Sequence, residues 1–134
     1  MANPNLLGTN IVRGKTFVTN LTTTGSILIL SNSFNSNKVF KIESIMVSNK
    51  DTSNSVNITA NYYNSASVSK ALTSGSLAFS VSVPAKSSLI LLDKASSLYL
   101  EENKSIGAIA GTANKLTVVC SYQDVSWWEL MDQS

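Results

Sequence analysis

A chain of 134 residues with ten basic and eight acidic groups, no histidine and one cysteine has room for one hydrophobic core but little material for side-chain catalysis. Ser-His-Asp and Cys-His arrangements and His-containing zinc sites are excluded, and one cysteine builds neither an intramolecular disulfide nor a thiolate metal cage. The charged fraction is 13%, about half of the roughly 25% usual for soluble domains, while Ser, Thr and Asn fill 48 positions, a composition that suits packing against other subunits better than processing a substrate.

Residues 1–15 are polar, are punctuated by Gly8 and Gly14, and read as an N-terminal arm. Candidate strands then follow at Thr16–Thr22, Ser26–Ser31, Lys38–Ser48, Ser55–Tyr63, Ser76–Val83, Ser88–Leu92, Ser97–Leu100, Ser105–Ala110 and Lys115–Gln123. Turn chemistry separates them: Asn32 to Asn37, Asn49 to Asn54, Thr73-Ser74-Gly75, Pro84-Ala85-Lys86, Glu102-Asn103-Lys104 and Gly111 to Asn114. Leu77, Phe79, Val81 and Val83 alternate with Ala78, Ser80 and Ser82, and Leu116, Val118, Cys120 and Tyr122 alternate with Thr117, Val119, Ser121 and Gln123. That period of two marks half-buried strands. Val56, Ile58, Ala60 and Tyr62 oppose Asn57, Thr59 and Asn61, as in an antiparallel strand wet on one side.

The stretch Lys38–Ser48 is apolar on both faces, with Phe40, Ile42 and Met46 against Val39, Ile45 and Val47. It is expected to be central or covered on both sides. No helical periodicity competes, so the pattern predicts an all-β fold: a single antiparallel β-sandwich or jelly-roll-like domain over residues 16–124. A tail, residues 125–134, follows. It holds Trp127, Trp128, Leu130 and Met131. Adjacent side chains of an extended segment point to opposite sides, so one tryptophan closes the sandwich while the other lies at the surface, or the segment docks in a neighbouring copy. The second reading makes these four residues the candidate interface.

Charge is uneven. Residues 1–100 carry 8 basic and 3 acidic groups, residues 101–134 carry 2 and 5. The cations are scattered rather than set in stripes that would neutralise phosphates, which argues against a nucleic-acid partner. Apolar runs such as Leu89 to Leu92 are far too short for a bilayer core of about 30 Å, so no membrane partner is expected. Met1 to Asn5 show neither a basic nor an apolar signal region, which predicts a protein made and assembled in a cytosol. Cys120 falls on the apolar face of its strand and reads as a small buried hydrophobe.

Three further patterns carry little chemistry. Ser67-Val68-Ser69-Lys70 has the spacing of a serine–lysine pair on a helix but lies in β-patterned sequence, where that spacing does not bring the side chains together. Glu101-Glu102 is the one adjacent acidic pair among the candidate strands and turns, and neighbours in an extended turn diverge instead of converging across a cleft. Tyr62-Tyr63-Asn64 is the candidate stacking platform for a sugar, the competing reading being tyrosines packed at a sandwich rim. Neither an enzyme nor a cofactor is expected.

The segment Val83-Pro84-Ala85 leading into Leu89-Ile90-Leu91-Leu92, then Leu98-Tyr99-Leu100-Glu101-Glu102-Asn103-Lys104-Ser105-Ile106, and finally Leu116 to Ser126 with Ser121-Tyr122 and Val125-Ser126, resembles a recurrent pattern in small virion structural proteins of tailed bacteriophages, those of marine cyanophages above all. The resemblance covers residues 39–126 in outline and is most specific over 83–126; the Trp127 to Ser134 tail departs from it. It implies a non-enzymatic component of a virion, most readily a head decoration or cement protein that forms trimers or higher oligomers and contacts major capsid or tail proteins. Placement in the neck, baseplate or a tail appendage is the alternative, and a glycan-binding adhesion module is the alternative of another class.

Overall fold

The computed structural model describes residues 11–66, 73–93, 95 and 98–126. They form nine strands: β1 (Ile11–Asn20), β2 (Ile27–Asn32), β3 (Lys38–Asn49), β4 (Val56–Tyr63), β5 (Thr73–Val83), β6 (Ser88–Leu92), β7 (Leu98–Leu100), β8 (Lys104–Ala110) and β9 (Leu116–Ser126). One sheet runs β1-β9-β3-β6, with β7 also paired to β3, and the other runs β2-β8-β4-β5. All pairings are antiparallel. The chain is an all-β, two-sheet sandwich, and its alternation of strands between sheets is the double-sheet jelly-roll arrangement.

Every expected strand is present, with some boundaries moved. β1 begins at Ile11, within the stretch read as arm, and β9 continues through Val125 and Ser126 because those residues pair with both β1 and β3. A paired neighbour extends a strand beyond its own alternation, since ladder hydrogen bonds form whatever the side chains are.

Asparagine closes several turns. Asn35, Asn37, Asn103 and Asn114 have φ of 57, 57, 59 and 64°, the left-handed region that this side chain tolerates better than most. Lys86, at φ 58°, completes the Pro84-Ala85-Lys86 turn.

β3 is central, between β9 and the β6/β7 pair. Its two faces are not divided as simple alternation predicts. The register with β9 shifts between Ile42 and Ser44, so Glu43 is an extra residue and the alternation restarts beyond it. Phe40, Ile42, Ile45, Val47 and Asn49 are therefore the buried set. Met46 joins Val39 on the outer face instead of standing with Phe40 and Ile42.

The core between the sheets contains Ile42, Ile45, Val47, Ile58, Val83, Leu100, Ile106, Leu116, Val118 and Cys120, with Leu21 sealed beneath the turn after β1. Each fully buried aliphatic side chain contributes about 1.5–3 kcal/mol. Phe40 and Tyr122 meet at a centroid distance of 5.2 Å and a tilt of 56°.

Two buried asparagines clip the loops at opposite ends of β3. Asn32 donates through Nδ2 to the carbonyls of Lys38 (2.8 Å) and Leu100 (3.0 Å), and its Oδ1 accepts the hydroxyl of Ser36. Asn49 donates to the carbonyls of Asn54 (3.1 Å) and Val83 (2.9 Å), while its Oδ1 accepts the N–H of Asp51 (2.9 Å). Asp51 in turn accepts the N–H groups of Ser53 and Asn54 at 2.9 and 3.1 Å. These bonds hold its carboxyl below the usual carboxylate range, with Lys115 adding a smaller pull.

Candidate interaction surface

Several of the described groups that chemistry could use are spent on structure. Cys120 is fully buried, and burial pushes its thiol up to about 12, so it is not a nucleophile. Among the described residues no cluster of three His, Cys, Asp or Glu could hold a metal ion. The adjacent glutamates act separately: Glu102 Oε2 accepts the N–H of Asn37 at 2.7 Å, and Glu101 is exposed beside Tyr62, whose hydroxyl burial pushes up. Ser67 to Lys70 lie outside the described residues.

Tyr62 and Tyr63 form no sugar-stacking platform. Tyr62 packs against the core. Tyr63 is 5% exposed, with its hydroxyl 3.1 Å from Ser26 Oγ and accepting Asn61 Nδ2 at 3.3 Å. The segment after β4 folds back over this region, where Ser31 and Ser105 donate to the carbonyls of Ala66 and Ser65.

Among the described residues the most buried acidic group is Asp124 of β9, 1% exposed, with Lys15 Nζ of β1 at 3.0 Å and Lys38 Nζ of β3 at 3.7 Å. These two cations balance its charge from either side of β9. The cluster ties three adjacent strands together, and both lysines stay partly in water.

What remains is surface, and it is organised. Register places Val18 of β1 opposite Val119 of β9, Val119 opposite Met46 of β3, and Met46 opposite Ile90 of β6. Directly opposed residues of an antiparallel sheet point to the same side, so these four form one apolar row across the outer face. Val18 and Ile90, at its ends, are 58% and 62% exposed. Val12, Val125 and Val39 form a second, shorter row. Between them run polar rows, including Thr16, Ser121 and Ser44, with Thr16 Oγ1 and Ser121 Oγ 3.4 Å apart. Sequence reading had the doubly apolar β3 as its signal but could not assemble the rows, because they depend on register. Trp127, Trp128, Leu130 and Met131 lie outside the described residues.

No known protein family matches the chain, and neither does any curated protein. Among solved structures, the chain is similar to a protein of Bacillus endospore appendages, described as a novel family of disulfide-linked pili, with 11% identity and a TM-score of 0.51 over 96% of this chain and 99% of that one. The virus-like particle protein of the giant freshwater prawn Macrobrachium rosenbergii extra small virus matches at 9% identity and TM-score 0.49, over 96% of this chain and 86% of that one. A chain of the cyanophage Pam1 capsid asymmetric unit matches at 15% identity and TM-score 0.37, over 95% and 93%. At 11% identity the likeness to the appendage protein is one of fold.

Proposed function

We propose that the chain is a non-enzymatic structural subunit of a tailed-phage virion, fitted best to head decoration: it self-associates as a trimer or higher oligomer and cements major capsid or tail proteins. The observation that carries this reading is the apolar row Val18, Val119, Met46 and Ile90 on an outer sheet face, a contiguous strip of the kind that marks contact surfaces. The bacteriophage-like pattern over residues 83–126 and the employment of the titratable groups in structure support it.

The mechanism is burial. A subunit contact of standard size removes about 800 Å² per partner from water, and repeating it over a lattice stabilises a particle without chemistry. The tail residues Trp127, Trp128, Leu130 and Met131 belong to the same proposal as anchors at a seam, since large aromatic side chains dominate contact energies. Quantitative mass spectrometry of purified parent particles should find on the order of tens to hundreds of copies, as symmetry multiplies one contact. About three to twelve copies would move the chain to the neck, baseplate or a tail appendage, and its absence from the particle would end the proposal.

A further inference from the structure

A sheet edge presents unpaired N–H and C=O groups, and proteins guard such edges by shortness, bulges or charge. Three of the four edges here are guarded. β6 has five residues. β2 carries a register shift between Leu28 and Leu30, and β5 is broken by three shifts along β4, with Ser80 at φ 49°. β1 differs from all of them. It runs ten residues against β9 without a register shift, no described residue pairs with its other side, and Ile11, Val12, Phe17 and Val18 are 37%, 51%, 39% and 58% exposed. Of its two charges, Lys15 is drawn over Asp124 at 3.0 Å, which leaves Arg13 as the single charged guard of a ten-residue edge.

We infer that the free edge of β1 is a docking site for a second copy of this chain, whose own β1 adds to it antiparallel about a two-fold axis and joins the two sheets into one. The partner is argued from the strand itself: a second β1, equally long and free of bulges, matches the open edge along its length, and β1 is the edge of that kind among the described strands. Charge and length of overlap then select the register. A two-fold axis perpendicular to the sheet passes midway between one residue and its own copy directly opposite. Centring on Lys15 opposes two lysines, and centring on Gly14 sets Arg13 against Lys15, both disfavoured as directly opposed like charges. Centring on Thr16 sets Lys15 opposite Phe17, Arg13 opposite Thr19 and Val12 opposite Asn20, leaving no like pair across the seam, and it keeps the strand paired from Val12 to Asn20, whereas centring on Phe17 or Val18 also avoids like pairs but leaves Val12 and Arg13 beyond the overlap.

This inference rests on the self-association proposed above, and such a seam joins trimers into higher closed assemblies as readily as it pairs two lone chains. The test uses the full chain. Sedimentation across a concentration series should show association, weakened at least tenfold by Val18→Lys and unchanged by Tyr99→Lys on β7, which lies outside the apolar row at the opposite side of the same sheet. Under mild oxidation Thr16→Cys should give a covalent dimer, since directly opposed residues have Cα atoms about 4.5–5.5 Å apart, within disulfide reach, whereas Lys15→Cys and Ile90→Cys should not. A wild-type chain that stays monomeric overturns both the inference and the self-association reading. Association that survives Val18→Lys, or that gives no cross-link through Thr16→Cys, overturns the inference alone.

Discussion

The two sheets bury similar inner faces but show the outside different chemistry. On the β2-β8-β4-β5 sheet the outer positions opposed in register include Asn57 with Ser82, Asn61 with Ser76, Ser31 and Tyr63 with Ser105, and Thr59 with Ile109. Many of these bond one another or the loop above them: Ser76 donates to Asn61 Oδ1 at 2.8 Å, and Thr59 Oγ1 accepts the N–H of Ser80. On the β1-β9-β3-β6 sheet the corresponding positions hold Val18, Val119, Met46 and Ile90. The first face is mostly polar, its apolar exposure falling on the edge strands β2 and β5 at Leu28 and Phe79, whereas the second carries a continuous apolar row across its strands that a partner can cover. An outer face is thus read by what satisfies it and not by exposure alone.

Breaking the inner layer should have the largest effect on folding. Ile42→Ala removes a fully buried side chain from the shared core and should lower stability by roughly 3 kcal/mol, read as a drop in the urea midpoint. Asn49→Ala strands the carbonyls of Asn54 and Val83 that its amide satisfies and should cost about 2 kcal/mol by the same measurement.

The third prediction concerns pH. Asp51 is held below its ordinary range when folded, so its contribution is fully present above the unfolded value near 3.8 and is lost as acid carries the solution down through the lower folded value. Urea midpoints measured from neutral to strongly acidic pH should fall for the wild type across that window, and less steeply for Asp51→Asn. The smallest effect sharpens the contrast between faces. Ile90→Ser, on the outer row, should change the stability of the isolated chain by no more than about 0.5 kcal/mol, because its side chain is 62% exposed.

Much of the fold was legible. Ser88–Leu92 matches β6 residue for residue, and the Asn103 and Asn114 turns fall where the Glu102-Asn103-Lys104 and Gly111 to Asn114 clusters place them. The faces of β3 were not, because one extra residue at Glu43 exchanges the roles of Ile45 and Met46. The interaction surface was half legible: β3 announced a second apolar face, but its continuation to Val18 and Ile90 depends on strands far away in the chain. The tail residues Trp127, Trp128, Leu130 and Met131 entered as interface candidates from sequence and remain a proposal.

By itself the sequence determined that this chain forms strands, roughly where each one lies, and that the machinery of histidine-dependent chemistry is missing, because side-chain alternation, turn residues and composition are local properties of a chain. Tertiary structure decided which strands became neighbours. It brought Lys15 and Lys38 to the buried Asp124, lined four apolar residues into a row, and left β1 with an open side. Those outcomes depend on hydrogen-bond register between distant segments, and a one-residue shift in register reverses which face every following side chain occupies.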